Sequence, residues 1–156
     1  MPITNNVTRM LDAKHISYKT HTVPEKKISA LEVAEFLAIP PETVFKTIVA
    51  EREKKGKAIL AVVPATGEVD VKKLAKAVVE KKVHVATLER AESLTGLRAG
   101  GISPLALIQK GLQVVLDDSA FVLEAITISG GQWGLQITLR PQDLAKLSDA
   151  RNAKIT

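Results

Sequence analysis

The chain is organised around a stretch near its middle, Thr95-Gly96-Leu97-Arg98-Ala99-Gly100-Gly101-Ile102-Ser103-Pro104-Leu105. The adjacent Gly100 and Gly101 give two consecutive peptide units without a Cβ atom. Such a loop can adopt backbone conformations that other residues avoid, and its N–H groups can approach a ligand closely. Pro104 holds Ser103 in an extended conformation and stiffens the exit of the loop. The stretch indicates either a tight connection between two elements or a main-chain cradle for an anion or oxyanion.

Length and composition bound the class of protein. With 156 residues the chain is expected to form one domain, residues 1–156, with 46% hydrophobic and 25% charged residues as in ordinary globular proteins. No apolar run approaches the ~18 residues of a membrane helix, and no signal-peptide core is visible, so no membrane partner is expected. The absence of cysteine excludes disulfides, thiolate metal ligands and a cysteine nucleophile, and it fits a cytoplasmic location.

The charge balance points to an anionic partner. The formal net charge is +5, which favours binding to a polyanion such as a nucleic acid. Aromatic residues make up only 3% of the chain, which argues against an aromatic platform for base stacking. Contacts to phosphates are therefore expected to carry most of any affinity for nucleic acid.

Hydrophobic periodicity and capping signals predict alternating helices and strands. Helices are expected over Asn5–His15, from the Ser29 capping box to Leu37, from the Asp70 cap to Val78, over Leu88–Leu94 and from Pro141 onward. Strands are expected over Tyr18–Thr22, Phe45–Glu51, Ala58–Pro64, Val83–Ala86, Gln113–Leu116, Ala125–Ser129 and Leu135–Leu139. Hairpins interrupted by helices predict an α+β fold with a mixed, barrel-like sheet flanked by helices.

Standard catalytic sets are absent from the sequence, but Lys46 stands out. It lies in the apolar segment Val44–Val49, where a buried ammonium group would need a partner. The alternative is an exposed lysine on an edge strand. Ser129-Gly130-Gly131 combines a hydroxyl with bare backbone, although a hairpin turn would explain it equally well. The histidines have no metal-ligand spacing, so no metal site is expected.

Three clusters taken together identify a family. Phe45-Lys46-Thr47, Gly100-Gly101-Ile102-Ser103-Pro104 and Ser129-Gly130-Gly131 occur in this order and spacing in the YbaK/EbsC family of aminoacyl-tRNA deacylases. The chain resembles that family over nearly its whole length. The resemblance implies the catalytic residues Lys46, Gly100 and Gly101. It also implies a substrate-binding set of Ser29, Thr47, Ile102, Ser103, Pro104, Ser129 and Gly130, with no cofactor and no metal.

The resemblance implies a trans-editing enzyme that hydrolyses the ester of mischarged tRNA, with Cys-tRNA(Pro) as the first candidate. Its partners would be the acceptor end of tRNA and prolyl-tRNA synthetase. Three positions depart from the pattern of many cysteine-specific members, namely Ser29, Gln136 and the region of Val23, and Ala106 replaces a glycine of the family's general pattern. Two alternatives therefore stay open: a non-catalytic module that binds tRNA or a synthetase, and a small-molecule pocket protein that binds no RNA.

The expected mechanism needs positioning and charge stabilisation more than a strong nucleophile, because an aminoacyl ester is already activated. The N–H groups of Gly100 and Gly101 would hold the oxyanion. Lys46 would supply positive charge to that oxygen or to the terminal phosphate, and either water or the substrate thiol would attack. The Lys46 ammonium, the Gly101 N–H and the Ser129 hydroxyl should then border one cavity. A basic surface near its mouth is expected from Lys26, Lys27, Lys72, Lys73 and Lys76.

Overall fold

The computed structural model describes residues 3–156, and these form five α-helices and eight β-strands. The helices are α1 Asn6–Ala13, α2 Ala30–Leu37, α3 Val71–Ala77, α4 Leu88–Thr95 and α5 Pro141–Ser148. The strands are β1 Tyr18–Thr22, β2 Phe45–Arg52, β3 Ile59–Pro64, β4 Val83–Val85, β5 Gln113–Asp117, β6 Ile126–Ser129, β7 Leu135–Leu139 and β8 Arg151–Ala153. No helix within residues 3–156 is long and apolar enough to cross a membrane.

The helices begin where side chains satisfy their free N–H groups. Ser29 and Glu32 form a reciprocal capping box at the start of α2, and the Asp70 side chain accepts from the N–H groups of Lys72 and Lys73 at the start of α3. Pro141 is the first residue of α5. Helix α4 ends at Gly96, whose φ of 74° is the left-handed conformation that favours glycine. These predicted helix boundaries are confirmed.

The strands form two sheets. One is antiparallel with the order β1-β7-β6, and the other is mixed with the order β4-β2-β3-β5-β8. A parallel bridge between Val44 and Thr127 joins them at one point, and the described strands do not close into a complete barrel. The predicted α+β class with a mixed arrangement of strands is confirmed.

Strand β8 was not predicted. It pairs in parallel with β5, and its composition of Arg151, Asn152 and Ala153 lacks the apolar alternation of a strand. The segment that follows is held by Asp117, a buried carboxylate that accepts a hydrogen bond of 2.9 Å from the Ile155 N–H. Tertiary contacts, rather than local propensity, thus determine this strand.

Two cores lie on opposite faces of the five-stranded sheet. The larger core joins that sheet to the three-stranded one, with Phe45 and Leu60 from the first and Ile128 and Ile137 from the second. The smaller core packs α3 against the other face of β2 and β3. Strand β3 is buried over Ile59–Val63, as its apolar run predicted. Strand β2 therefore lies between both cores and close to the other sheet.

Candidate active site

A cavity of about 470 Å³ opens beside β2, along the edge of that strand that faces away from β3. Strand β4 pairs with β2 only over Ala50–Arg52, and the other sheet touches it at the Val44–Thr127 bridge. Between these two points the edge of β2 has no partner strand within the described part of the chain, residues 3–156. The volume is that of a small-ligand site. The cavity lining includes Lys27, Ser29, Glu32, Lys46, Thr47, Val85, Leu88, Gly100, Ile102, Ser129 and Gln136.

The structure brings together most of the residues that the sequence singled out. Those that line the cavity are Ser29, Lys46, Thr47, Gly100, Ile102 and Ser129. They come from the start of α2, from β2, from the glycine loop and from the end of β6. Those that lie outside the lining are Gly101, Ser103, Pro104 and Gly130.

The expectation for the Gly101 N–H is wrong. This group already donates a hydrogen bond of 2.8 Å to the Arg98 carbonyl and closes a tight turn. A Cβ atom at Gly101 would lie 3.2 Å from the Gln132 Cα, so the glycine lets the loop pack closely against the β6–β7 turn. Gly100, with a φ of 91°, lines the cavity instead, and its N–H has no hydrogen-bond partner among residues 3–156. Gly100 therefore presents an open main-chain donor in this loop.

The other three residues outside the lining support the loops around the cavity. The buried Ser103 hydroxyl accepts from the Leu105 N–H at 3.2 Å, and Pro104 is the first residue of the short 3-10 turn that follows. A Cβ atom at Gly130 would lie 2.5 Å from the Leu135 Cγ, closer than atoms can pack. Their contacts are structural, and none of them reaches the cavity.

Lys46 is neither a buried lysine nor a fully exposed one on an edge strand, the two situations that the sequence left open. Its side chain is 25% exposed, and its Nζ lies 3.3 Å from the Glu68 Oε1. Glu68 is 93% exposed, so solvent screens this pair and it holds the ammonium only weakly. The cation is therefore available at the edge of the cavity. Glu68 was not singled out by the sequence, because only the fold brings residues 46 and 68 together.

Glu32 is the one carboxylate among the described residues that line the cavity. Its Oε1 accepts a hydrogen bond of 3.0 Å from the Ser29 N–H, and the Ser29 Oγ accepts one of 3.1 Å from the Glu32 N–H. The hydrogen bonds from Ser29 lower the pKa of the Glu32 carboxyl group. The sequence predicted this capping box but not its position at the cavity.

Trp133 ties the glycine loop to the β6–β7 turn. Its indole N–H donates to the Ala99 carbonyl at 2.9 Å, and the Arg98 guanidinium lies 4.3 Å from the ring centroid. A Cβ atom at Gly100 would come within 3.4 Å of the Trp133 Nε1. The indole thus packs against the backbone that carries the open Gly100 N–H. A lone tryptophan in a glycine-rich turn gives no sequence signal of this contact.

The basic residues are divided between the cavity and other surfaces. Lys27 lines the cavity, whereas Lys72, Lys73 and Lys76 of α3 do not. Helix α3 nevertheless begins near it, because Glu68, which contacts Lys46, precedes the Asp70 cap by two residues. Among residues 3–156, no three His, Cys, Asp or Glu side chains come together as a group able to hold a metal ion.

The chain is similar to known proteins in sequence and in fold. A protein of Enterococcus faecalis named "Putative Cys-tRNA(Pro)/Cys-tRNA(Cys) deacylase EbsC" is 37% identical over 153 residues, which cover 97% of this chain and 92% of the relative. The fold is similar to that of the hypothetical protein APE2540, with a TM-score of 0.87, 18% identity and coverage of 97% and 99% of the two chains. It is also similar to a "putative trans-editing enzyme for prolyl tRNA synthetase", with a TM-score of 0.80, 23% identity and coverage of 99% and 98%.

The sequence pattern of one family spans the elements that build the cavity. The aminoacyl-tRNA editing domain matches residues 24–147, from the segment before α2 to the last turn of α5. This range includes β2, the glycine loop and the β6–β7 turn. The resemblance drawn from the three sequence clusters is confirmed, and the chain belongs to the aminoacyl-tRNA editing domain family.

Proposed function

We propose that this protein is a trans-editing hydrolase that cleaves the ester between a wrongly attached amino acid and the terminal adenosine of a tRNA, with Cys-tRNA(Pro) as its first substrate. The carrying observation is that Lys46, Gly100 and Ser129 border one cavity of about 470 Å³. Family membership and the name of the Enterococcus faecalis relative support the reaction class. That name also supports the choice of a cysteinyl ester.

The residues around the cavity suit ester hydrolysis. When a nucleophile attacks the ester carbon, the carbonyl oxygen becomes negative, and the open N–H of Gly100 is available to stabilise it. The Lys46 ammonium supplies positive charge at the same opening. The attacking atom is a positioned water or, in a cysteinyl ester, the thiol of the substrate. The bond to the ribose oxygen then breaks, and that oxygen takes up the proton released by the attacking group, so the tRNA leaves with a free hydroxyl group. Attack by water releases the free amino acid, whereas attack by the thiol releases a cyclic thioester that water then opens.

The partners of this reaction follow from its substrate. The acceptor end of a tRNA carries phosphates, and Lys27 at the cavity provides a cation for them. Prolyl-tRNA synthetase is the second partner in this proposal, since trans-editing acts on tRNA that such a synthetase has mischarged. Aminoacyl-tRNA is handled in the cytoplasm, where we expect the protein to act.

The test is a deacylation assay over a panel of tRNAs mischarged with cysteine, alanine, serine or proline, with and without prolyl-tRNA synthetase. We expect the protein to release cysteine from tRNA(Pro) at a rate above that of the uncatalysed reaction. Hydrolysis of another ester but not this one would correct the substrate and keep the reaction class. If the protein binds these tRNAs and hydrolyses none of them, it is a non-catalytic binding module.

A further inference from the structure

The unpaired edge of β2 offers main-chain hydrogen-bonding groups to the cavity. On the side of β3, the Ala65 N–H donates to the Val44 carbonyl at 2.7 Å. On the opposite side, the Ala86 N–H donates to the Val49 carbonyl at 2.9 Å. Because the hydrogen-bonding groups of successive strand residues point to alternate sides, Thr47 directs its N–H and its C=O to the same side as Val49.

No strand among residues 3–156 meets those two groups of Thr47. The pairing of β4 with β2 covers Ala50–Arg52 and ends with the bond to Val49, and the bridge to the other sheet lies at Val44. Thr47 itself lines the cavity, together with Ala86 and Ser129 on the two sides of the gap. One residue of β2 therefore presents a free donor and a free acceptor side by side to any ligand in the cavity.

An aminoacyl ester carries the complementary pair. Its α-ammonium is a donor and its carbonyl oxygen is an acceptor, and one carbon atom separates the two groups, as in a residue of a strand. Two antiparallel residues that face each other exchange both hydrogen bonds through such groups. Addition of an extended segment to an exposed sheet edge is a common mode of peptide recognition.

We propose that the aminoacyl unit docks as a one-residue extension of the five-stranded sheet, with its α-ammonium donating to the Thr47 carbonyl and its ester carbonyl accepting from the Thr47 N–H. This inference rests on the proposed function and adds how the amino acid is held. The carbonyl oxygen keeps a second lone pair, which is left for the Gly100 N–H. The contact involves only the ammonium and carbonyl groups that all aminoacyl esters share. Specificity for the amino acid side chain must therefore arise elsewhere in the cavity.

Hydrogen exchange of backbone amides, followed by NMR, tests this docking. In the free protein the Thr47 amide should exchange faster than those of Lys46 and Ile48, whose groups point towards β3. The probe is 3′-deoxy-3′-(L-alanylamino)adenosine, in which an amide replaces the ester. At saturation it should slow exchange at Thr47 by about tenfold or more.

The matched control is 3′-deoxy-3′-(propanoylamino)adenosine, which differs only in lacking the ammonium group. It should bind about tenfold more weakly or worse, because a hydrogen bond from a charged donor is lost. Equal affinity of the two probes would overturn the ammonium contact. Unchanged exchange at Thr47 with the alanyl probe bound would overturn the docking mode.

The proposed function is separated from this inference by the deacylation assay. If mischarged tRNA is hydrolysed but the alanyl probe neither binds nor protects Thr47, the docking mode is wrong and the reaction class stands. If no ester in the panel is hydrolysed and the probe does not bind, the proposed function fails and the docking mode fails with it.

Discussion

At the scale of single residues, Val79 is the one β-branched residue of the described backbone with a positive φ. It follows α3 with a φ of 57° and is 80% exposed. Its N–H donates to the Lys76 carbonyl, and the Glu80 N–H donates to the Ala75 carbonyl, as in a helix end that normally carries glycine. A β-branched residue is disfavoured in this conformation by roughly 1–2 kcal/mol.

Val79→Gly should therefore stabilise the protein. Glycine relieves the strain, but it also makes the unfolded chain more flexible, which offsets part of the gain. The net increase in the free energy of unfolding should therefore be about 1 kcal/mol. Chemical denaturation measures it. Val122→Gly is the matched control, because Val122 is 86% exposed without a positive φ. If both variants lower the stability equally, Val79 is not strained.

Residue patterns in the sequence predicted six of the residues that line the cavity but not the contacts that these residues make. Lys46, Gly100 and Ser129 were found because lysine in an apolar strand and adjacent glycines are rare patterns. The hydrogen bond from the Gly101 N–H to the Arg98 carbonyl could not be predicted, because the sequence does not distinguish two adjacent glycines. The same holds for Glu68 and Trp133, whose contacts join residues that are distant along the chain.

At the scale of elements, local signals predicted the helices better than the last strand. Caps at Ser29 and Asp70 and the glycine after α4 act within one turn, so the sequence alone reveals them. Strand β8 instead depends on pairing with β5, which is more than 30 residues away along the chain. The unpaired edge of β2 is likewise a property of where its neighbours end, and no pattern within β2 shows it.

The start of α2 makes a prediction about pH. Hydrogen bonds from Ser29 lower the pKa of Glu32 below its usual 4.5, so the folded state favours the ionised carboxylate. This contribution to stability is fully present above pH 4.5 and is lost as the pH falls through the lower pKa of the folded state.

Glu32→Gln removes the titrating group and keeps the shape of the side chain. The stability difference between the parent protein and this variant should be constant at neutral pH and should shrink as the pH falls below 4.5. Denaturation curves at a series of pH values measure it. A difference that stays constant through the acid range would show that Glu32 titrates alike in the folded and unfolded states.

At the scale of the whole molecule, the two sheets share one core. Residues from β2 and β3 pack with residues from β6 and β7, and α1 and α5 contribute Leu11 and Leu144. We therefore propose that residues 1–156 unfold as one cooperative unit. Fluorescence of Trp133, the only tryptophan, and far-UV circular dichroism should give the same denaturation midpoint. Two separate midpoints would instead show that the sheets unfold independently.

The net charge of +5 makes a second prediction at this scale. Binding to tRNA should weaken steeply with salt, because each neutralised phosphate releases counterions. Lys27→Gln at the cavity should reduce the slope of log K against log salt by about 0.7 to 0.9, the value of one phosphate contact. Lys54→Gln is the control, because Lys46 lies at the start of β2 whereas Lys54 comes just after the end of that strand. Equal slopes for all three proteins would exclude Lys27 from the RNA-binding surface.

Above all, we propose that Lys46 at the cavity stabilises the transition state of ester hydrolysis. The most direct measurement is single-turnover deacylation of Cys-tRNA(Pro) by Lys46→Ala, with thermal melts alongside and Glu68→Gln as the matched variant that breaks the same ion pair. Lys46→Ala should lose about a hundredfold in rate with a near-native melt, and Glu68→Gln should stay within about fivefold of the parent. An unchanged rate in Lys46→Ala, or equal losses in both variants, would contradict the claim.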